Sequence, residues 1–123
     1  MNANPVGWFE IYVRDLARAS KFYESVLQVK LQPTENSPVS MSTFPMEQEA
    51  PGAPGALVHM TGFEPGGNST LVYFTCEDCA VQERRVTKAG GRIQKPKESI
   101  GEHGFISLAF DTEGNMFGLH SRK

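Results

Sequence analysis

The order of strand, cap, helix and turn signals in this chain is written twice, and that repetition limits the fold more than any single motif. The first copy opens on Val6-Gly7-Trp8-Phe9-Glu10-Ile11-Tyr12-Val13, aromatic and β-branched, which predicts a strand. Asp15 follows in the N-cap place. Leu16, Ala19, Phe22, Tyr23, Val26 and Leu27 then recur at helical spacing and predict one helix over 15–27. Short β-leaning pieces come at 29–31 and 39–46, then a loop rich in Pro and Gly over 47–55, then a strand over 56–60. Gly62-Phe63-Glu64-Pro65-Gly66-Gly67-Asn68 reads as the break between halves.

The second copy keeps the order. A strand over 69–76 leads to Asp78 in the capping place and a helix to Ala89, which Gly90-Gly91 ends. A short strand over 92–94, a polar loop over 95–103, and strands over 104–111 and 116–120 follow, with Thr112-Glu113-Gly114-Asn115 as the last turn. Asp15 and Asp78 stand 63 residues apart. Two copies of that length predict a pseudo-symmetric α+β domain of two βαβββ modules, about 6–62 and 69–120, and not a solenoid. A chain of 123 residues suits one such domain.

Strand side chains alternate, so each strand sorts into two faces. Phe9, Ile11 and Val13 are expected beneath the first helix, and Val72, Phe74 and Cys76 beneath the second. That leaves Trp8, Glu10 and Tyr12, with Leu71, Tyr73 and Thr75, on the opposite face. Val58 and Met60 are assigned to the helix side, and Leu57, His59 and Thr61 away from it. In the last strand Phe117 and Leu119 point in, while Met116, Gly118 and His120 point out. Two such curved sheets side by side form a cup lined by aromatic and polar side chains, the usual chemistry of a small-molecule site.

Composition narrows the partners. Charged residues make up 21% of the chain, hydrophobic ones 39%, and the formal charge is −2, with no run of Lys or Arg to track phosphates. Nucleic acid is therefore not an expected partner. No apolar stretch has the length to span a bilayer, and Met1 to Pro5 carries no leader pattern, so a cytoplasmic protein is the expectation. Cys76 and Cys79 form a C-x-x-C pair with two readings, a redox dithiol near a helix start or two small buried hydrophobes.

The opening Val6 to Leu16 with Ala19-Ser20-Lys21-Phe22-Tyr23, the Gly90-Gly91 pair and the run Asp111-Thr112-Glu113-Gly114-Asn115-Met116-Phe117-Gly118-Leu119 resemble the glyoxalase/bleomycin resistance/dioxygenase proteins of the vicinal oxygen chelate superfamily. The nearest subgroup is one related to lactoylglutathione lyase. The resemblance implies paired βαβββ modules, usually in a homodimer, and in active members a divalent metal held by four side chains. Those positions fall on Trp8, His59, Leu71 and Gly118, of which His59 alone has a metal-binding side chain. No cofactor is expected unless a metal site is rebuilt around His59.

His59 has two readings, a half-buried sheet histidine or a site residue paired with Glu10 for proton abstraction. Trp8, Tyr12, Leu57, Leu71, Tyr73, Met116 and His120 are the candidate ligand-binding residues. His103, in the 95–103 loop, has two readings, part of a lid over the cup or a solvated loop residue. Three functional readings follow: a small-molecule-binding protein or metal-independent enzyme, a lyase or isomerase with a rebuilt metal site, and a structural or regulatory homodimer whose cup is filled with side chains.

Overall fold

The computed structural model describes residues 4–34 and 39–123; residues 1–3, part of the N-terminal segment read above, and 35–38 lie outside it. The elements are β1 (Phe9–Tyr12), α1 (Leu16–Leu27), β2 (Gln32–Thr34), β3 (Ser40–Thr43), β4 (Gly55–His59), β5 (Tyr73–Thr75), α2 (Cys79–Lys88), β6 (Arg92–Ser99), a 3-10 turn (Gly101–His103), β7 (Phe105–Phe110) and β8 (Met116–Ser121). They form two four-stranded mixed sheets ordered β1-β4-β3-β2 and β5-β8-β7-β6. In each, the first and last strands run parallel and the other pairs antiparallel. The fold is the two-module α+β arrangement read from the sequence, with no closed barrel.

Local chemistry sets the helices. Asp15 and Asp78 cap α1 and α2, their carboxylates accepting the N–H of Arg18 at 3.0 Å and of Ala80 at 3.0 Å. After α2, the Gly91 N–H returns to Val86 O at 2.9 Å. The buried face of α1 carries Ala19, Phe22, Tyr23 and Val26, while α2 buries Cys79 and Val86. These side chains share one core with Val13, Leu57, Ala109, Phe117 and Leu119, so the two sheets are joined on their helix sides. Phe22, Tyr23, Phe44, Phe74 and Phe117 form its aromatic centre, with ring centroids 5.0–5.9 Å apart in the closest pairs.

A polar knot ties the second unit's last turn to the first unit's helix. Tyr23 Oη donates to Asp111 Oδ2 at 2.6 Å, and Asp111 Oδ1 accepts the N–H of Glu113 and of Asn115. The Glu113 side chain is fully buried. It accepts the N–H of Arg14 and Asp15 at 3.0 Å each, and Arg18 Nε at 2.7 Å, at the start of α1. Burial pushes the Glu113 carboxyl up, but Arg18, the two backbone N–H groups and the Thr112 hydroxyl outweigh it and hold the group at about 2. For Asp111 burial prevails over its donors, and its carboxyl is raised.

The strand read at 29–31 forms instead at 32–34, and two further expectations change. Residues 95–99 are not loop: β6 runs from Arg92 to Ser99, broken by register shifts at Lys95 and Glu98. As the edge strand it tolerates Lys, Pro and Glu, which a central strand would not. In β4 the faces are inverted. Ile11 pairs with Leu57 and Tyr12 with Val58, so Leu57 points to the core and Val58 to the cup side. No helix among the described residues is long and apolar enough to cross a membrane.

Candidate functional site

Strand β1 and the residue before it place three polar-tipped side chains, Trp8, Glu10 and Tyr12, in a row on the cup face. Glu10 stands in the middle. Its Oε2 accepts the Trp8 indole N–H at 3.2 Å, and its Oε1 accepts the Tyr12 hydroxyl at 2.8 Å. The bond to Glu10 raises the Tyr12 phenol, since ionising it would put two negative charges side by side. Phe63 stacks on Tyr12 with centroids 5.3 Å apart, a contact the sequence reading missed because Phe63 lies within the turn-rich break. One aromatic residue among glycines and prolines was the signal there.

On the second unit, Tyr73, Thr75, Gly118 and His120 share a face, with Tyr73 in register with Gly118. A side chain at 118 would overlap the Tyr73 ring, so the ring lies directly across the backbone of β8. Trp8 (41% exposed) and Tyr73 (44% exposed) both line an apolar cleft of about 820 Å³, whose floor includes Phe9, Phe44, Leu71, Val72 and Phe74. A second cleft of about 470 Å³ lies along β1 and the inter-unit break, lined by Glu10, Tyr12, Glu64, Asn68 and Met116 among others. Asn68 is fixed there by bonds to the Met116 backbone, its Nδ2 donating to Met116 O at 2.7 Å and its Oδ1 accepting Met116 N–H at 3.1 Å.

The histidines and Leu57 are placed differently from the expectation. Leu57 is fully buried in the core and lines neither cleft. His59 follows Leu57 on the helix side, and its Nδ1–H donates to Val13 O at 3.0 Å. Glu10 shares its face with Ala56 and Val58, so Glu10 and His59 do not meet. His120 does lie on the cup side, half-buried, with Nε2–H donating to His103 O at 2.7 Å. His103 belongs to the exposed 3-10 turn beside β7.

The cysteines sit where small hydrophobes would. Cys79 is buried in the first turn of α2, its N–H donating to Ser121 Oγ, and Cys76 follows β5. Burial, with Cys79 nearby, pushes the Cys76 thiol up to about 11, opposite to what a reactive thiolate needs.

The residues present do not suit the four-ligand metal that the resemblance implies. In the second unit the positions are Leu71, with no donor, and Gly118, whose side-chain space the Tyr73 ring fills. Trp8 has no lone pair to offer. Carrying the register of β5 and β8 onto β1 and β4 moves the remaining position from His59 to Ala56, because Tyr73 pairs with Gly118 as Glu10 pairs with Ala56. Among the described residues no group of three or more His, Cys, Asp or Glu side chains converges to hold a metal ion.

With that geometry in place, the comparisons can be read. The family described as the Glyoxalase/Bleomycin resistance protein/Dioxygenase superfamily matches residues 6–119. The chain belongs to this superfamily. No curated protein matches its sequence. Among solved structures it resembles glyoxalase I from Zea mays, with a TM-score of 0.74 and 21% identity over 96% of this chain and 46% of that one. It thus spans about half of the maize protein. A glyoxylase/bleomycin resistance protein/dioxygenase domain from Frankia sp. gives a TM-score of 0.74 and 19% identity over 99% and 100% of the two chains. TnmS3, an antibiotic binding protein from Streptomyces sp., gives 0.70 and 22% identity over 100% and 99%. At these identities the likeness shows the fold.

Proposed function

We propose that this member of the glyoxalase/bleomycin resistance superfamily binds an organic small molecule in its cup, as a homodimer and without the superfamily's divalent metal. One observation carries the reading: Trp8 and Tyr73, from opposite units, stand 41% and 44% exposed at a single apolar cleft of about 820 Å³. Large aromatic side chains left in water on a concave face are unfavourable by ~25 cal/mol per Å² of apolar area, and a ligand or a second subunit relieves that. The solved structure of an antibiotic binding protein with the same fold supports a binding role. Val6, 66% exposed at the same cleft, adds apolar surface for a second chain to cover.

The metal part rests on donor chemistry: an indole, an alanine, a leucine and a glycine stand where four ligands would be required. Thermal-shift screening against a broad set of planar and carbonyl-bearing metabolites, read in parallel by Trp8 fluorescence, tests the binding role. The expected result is a ligand-dependent rise in melting temperature that Tyr73→Ala removes. A flat response across the set, with the unliganded protein monomeric by light scattering, overturns it. Metal analysis of dialysed, tag-free protein is expected to find far less than one equivalent of Zn, Ni, Mn or Fe; a full equivalent lost in His59→Ala overturns the metal part.

A further inference from the structure

Of the two carboxylates that line the second cleft, Glu10 and Glu64, only Glu64 has a cationic partner among the described residues. Glu64 pairs with Arg14 at 2.9 Å, Glu98 with Lys95 at 3.1 Å, Asp78 with Lys97 at 2.8 Å, and Glu113 with Arg18 at 2.7 Å. Among the described residues Glu10 forms no ion pair; its side-chain partners are the neutral donors of Trp8 and Tyr12. Those two bonds hold the carboxylate in place and leave its charge in full. A carboxylate accepts about four hydrogen bonds, so both oxygens keep lone pairs for a further donor.

We propose that this face receives an organic ammonium ion carrying a flat apolar body, with the ammonium at Glu10 and the ring system against Trp8 and Tyr73. The inference rests on the binding role proposed above and names its ligand class. Trp8, just before β1, and Glu10, within it, are two residues apart in extended chain and joined by the indole N–H bond, so they project side by side. The apolar cleft begins at Trp8, and the more polar one includes Glu10, Tyr12 and Glu64. A ligand lying across the two places its ring in the first and its charge at the mouth of the second. The Glu10 carboxylate attracts the cation and its free lone pairs accept the ammonium N–H, while the indole face of Trp8 takes the flat ring. An anion meets the reverse at Glu10. A hard metal ion needs several oxygen ligands, and the indole beside Glu10 supplies none.

The test uses three compounds with one ring system and three charges: naphthylmethylammonium, naphthylmethanol and naphthoate. Calorimetry gives each dissociation constant, and the indole N–H resonance of Trp8, the chain's single tryptophan, reports contact at the site. At low salt the ammonium is expected to bind roughly tenfold more tightly than the alcohol, with naphthoate weakest. Glu10→Gln keeps an acceptor for the Trp8 N–H and offers its NH2 to the Tyr12 hydroxyl oxygen, but removes the charge. It is expected to bring the ammonium down to the alcohol's affinity while leaving the alcohol unchanged. Equal affinity for ammonium and alcohol, or a preference that survives Glu10→Gln, overturns this inference and leaves the binding role standing. If no compound of any charge binds or moves the indole resonance, the binding role falls with it.

Discussion

In the first unit the ring of Phe9 lies across Gly55 on the helix side, at the margin of the core, whereas in the second the ring of Tyr73 lies across Gly118 on the cup side. The two glycines are 63 residues apart, the same interval as the helix caps Asp15 and Asp78. The rings are not equivalent. Phe9 is six residues before its cap and Tyr73 five before its own, and each is in register with its glycine. A shift of one residue in a strand moves a side chain to the other face. The two seats therefore lie on opposite faces, Phe9 over Gly55 on the helix side and Tyr73 over Gly118 on the cup side, where Gly118 answers to Ala56. The last turns differ as well: residues 111–115 make a buried polar knot, while residues 47–54 form an open loop.

The largest test of this asymmetry compares the two helices. Phe22 packs against Tyr23 and Phe117, so Phe22→Ala is expected to cost about 3–5 kcal/mol. Val86→Ala on α2, removing less buried volume, should cost about 2 kcal/mol or less by denaturant unfolding. Equal losses would show that α2 anchors the core as firmly as α1.

The knot comes next. Glu113→Gln keeps a side-chain acceptor but loses the charge facing Arg18, and about 2–3 kcal/mol should disappear at neutral pH. Because the folded carboxyl is held at about 2 against an ordinary 4.5, its stabilisation is fully present above pH 4.5. It is lost as pH falls from there toward about 2. The raised carboxyl of Asp111 works in the opposite sense, since protonation relieves a buried charge. Melting temperatures over that range should fall less steeply in Glu113→Gln than in the parent, and an unchanged slope would remove Glu113 from the account.

The glycine seats separate by a smaller margin. Gly55→Ala drives Phe9 away from β4, against the core residues it packs on, and should cost about 2 kcal/mol, a typical overpacking penalty. Gly118→Ala displaces a half-exposed Tyr73 that has room to swing, so its stability cost should stay below about 1 kcal/mol while cup ligands bind more weakly. A reversal of that order would contradict the assignment of faces. Smallest is Tyr12→Phe, which removes one exposed hydrogen bond to Glu10 and should change stability by about 0.5 kcal/mol or less.

How much of this was readable without coordinates depends on how local the signal is. Asp15, Asp78, the apolar stripe from Leu16 to Leu27 and Gly90-Gly91 act within a turn or two of chain, so the helices were placed to within a residue or so. The same holds for Trp8, Glu10 and Tyr12, whose alternation with Phe9, Ile11 and Val13 is plain. The Tyr23–Asp111 and Arg18–Glu113 contacts span 88 and 95 residues, and neither end announces its partner.

The repeat, the cap positions and the helical spacing by themselves determined that this chain makes two βαβββ units with a helix on one side of each sheet. Tertiary structure alone decided the facing of β4, and with it the fate of Leu57 and His59. Ala56, Leu57 and Val58 are each essentially inaccessible, because β4 runs between β1 and β3 and both of its faces are covered. A strand buried on both sides carries no apolar alternation to read. Its orientation is set by pairing with β1, where Leu57 meets Ile11, and that pairing exists only once the two strands lie together.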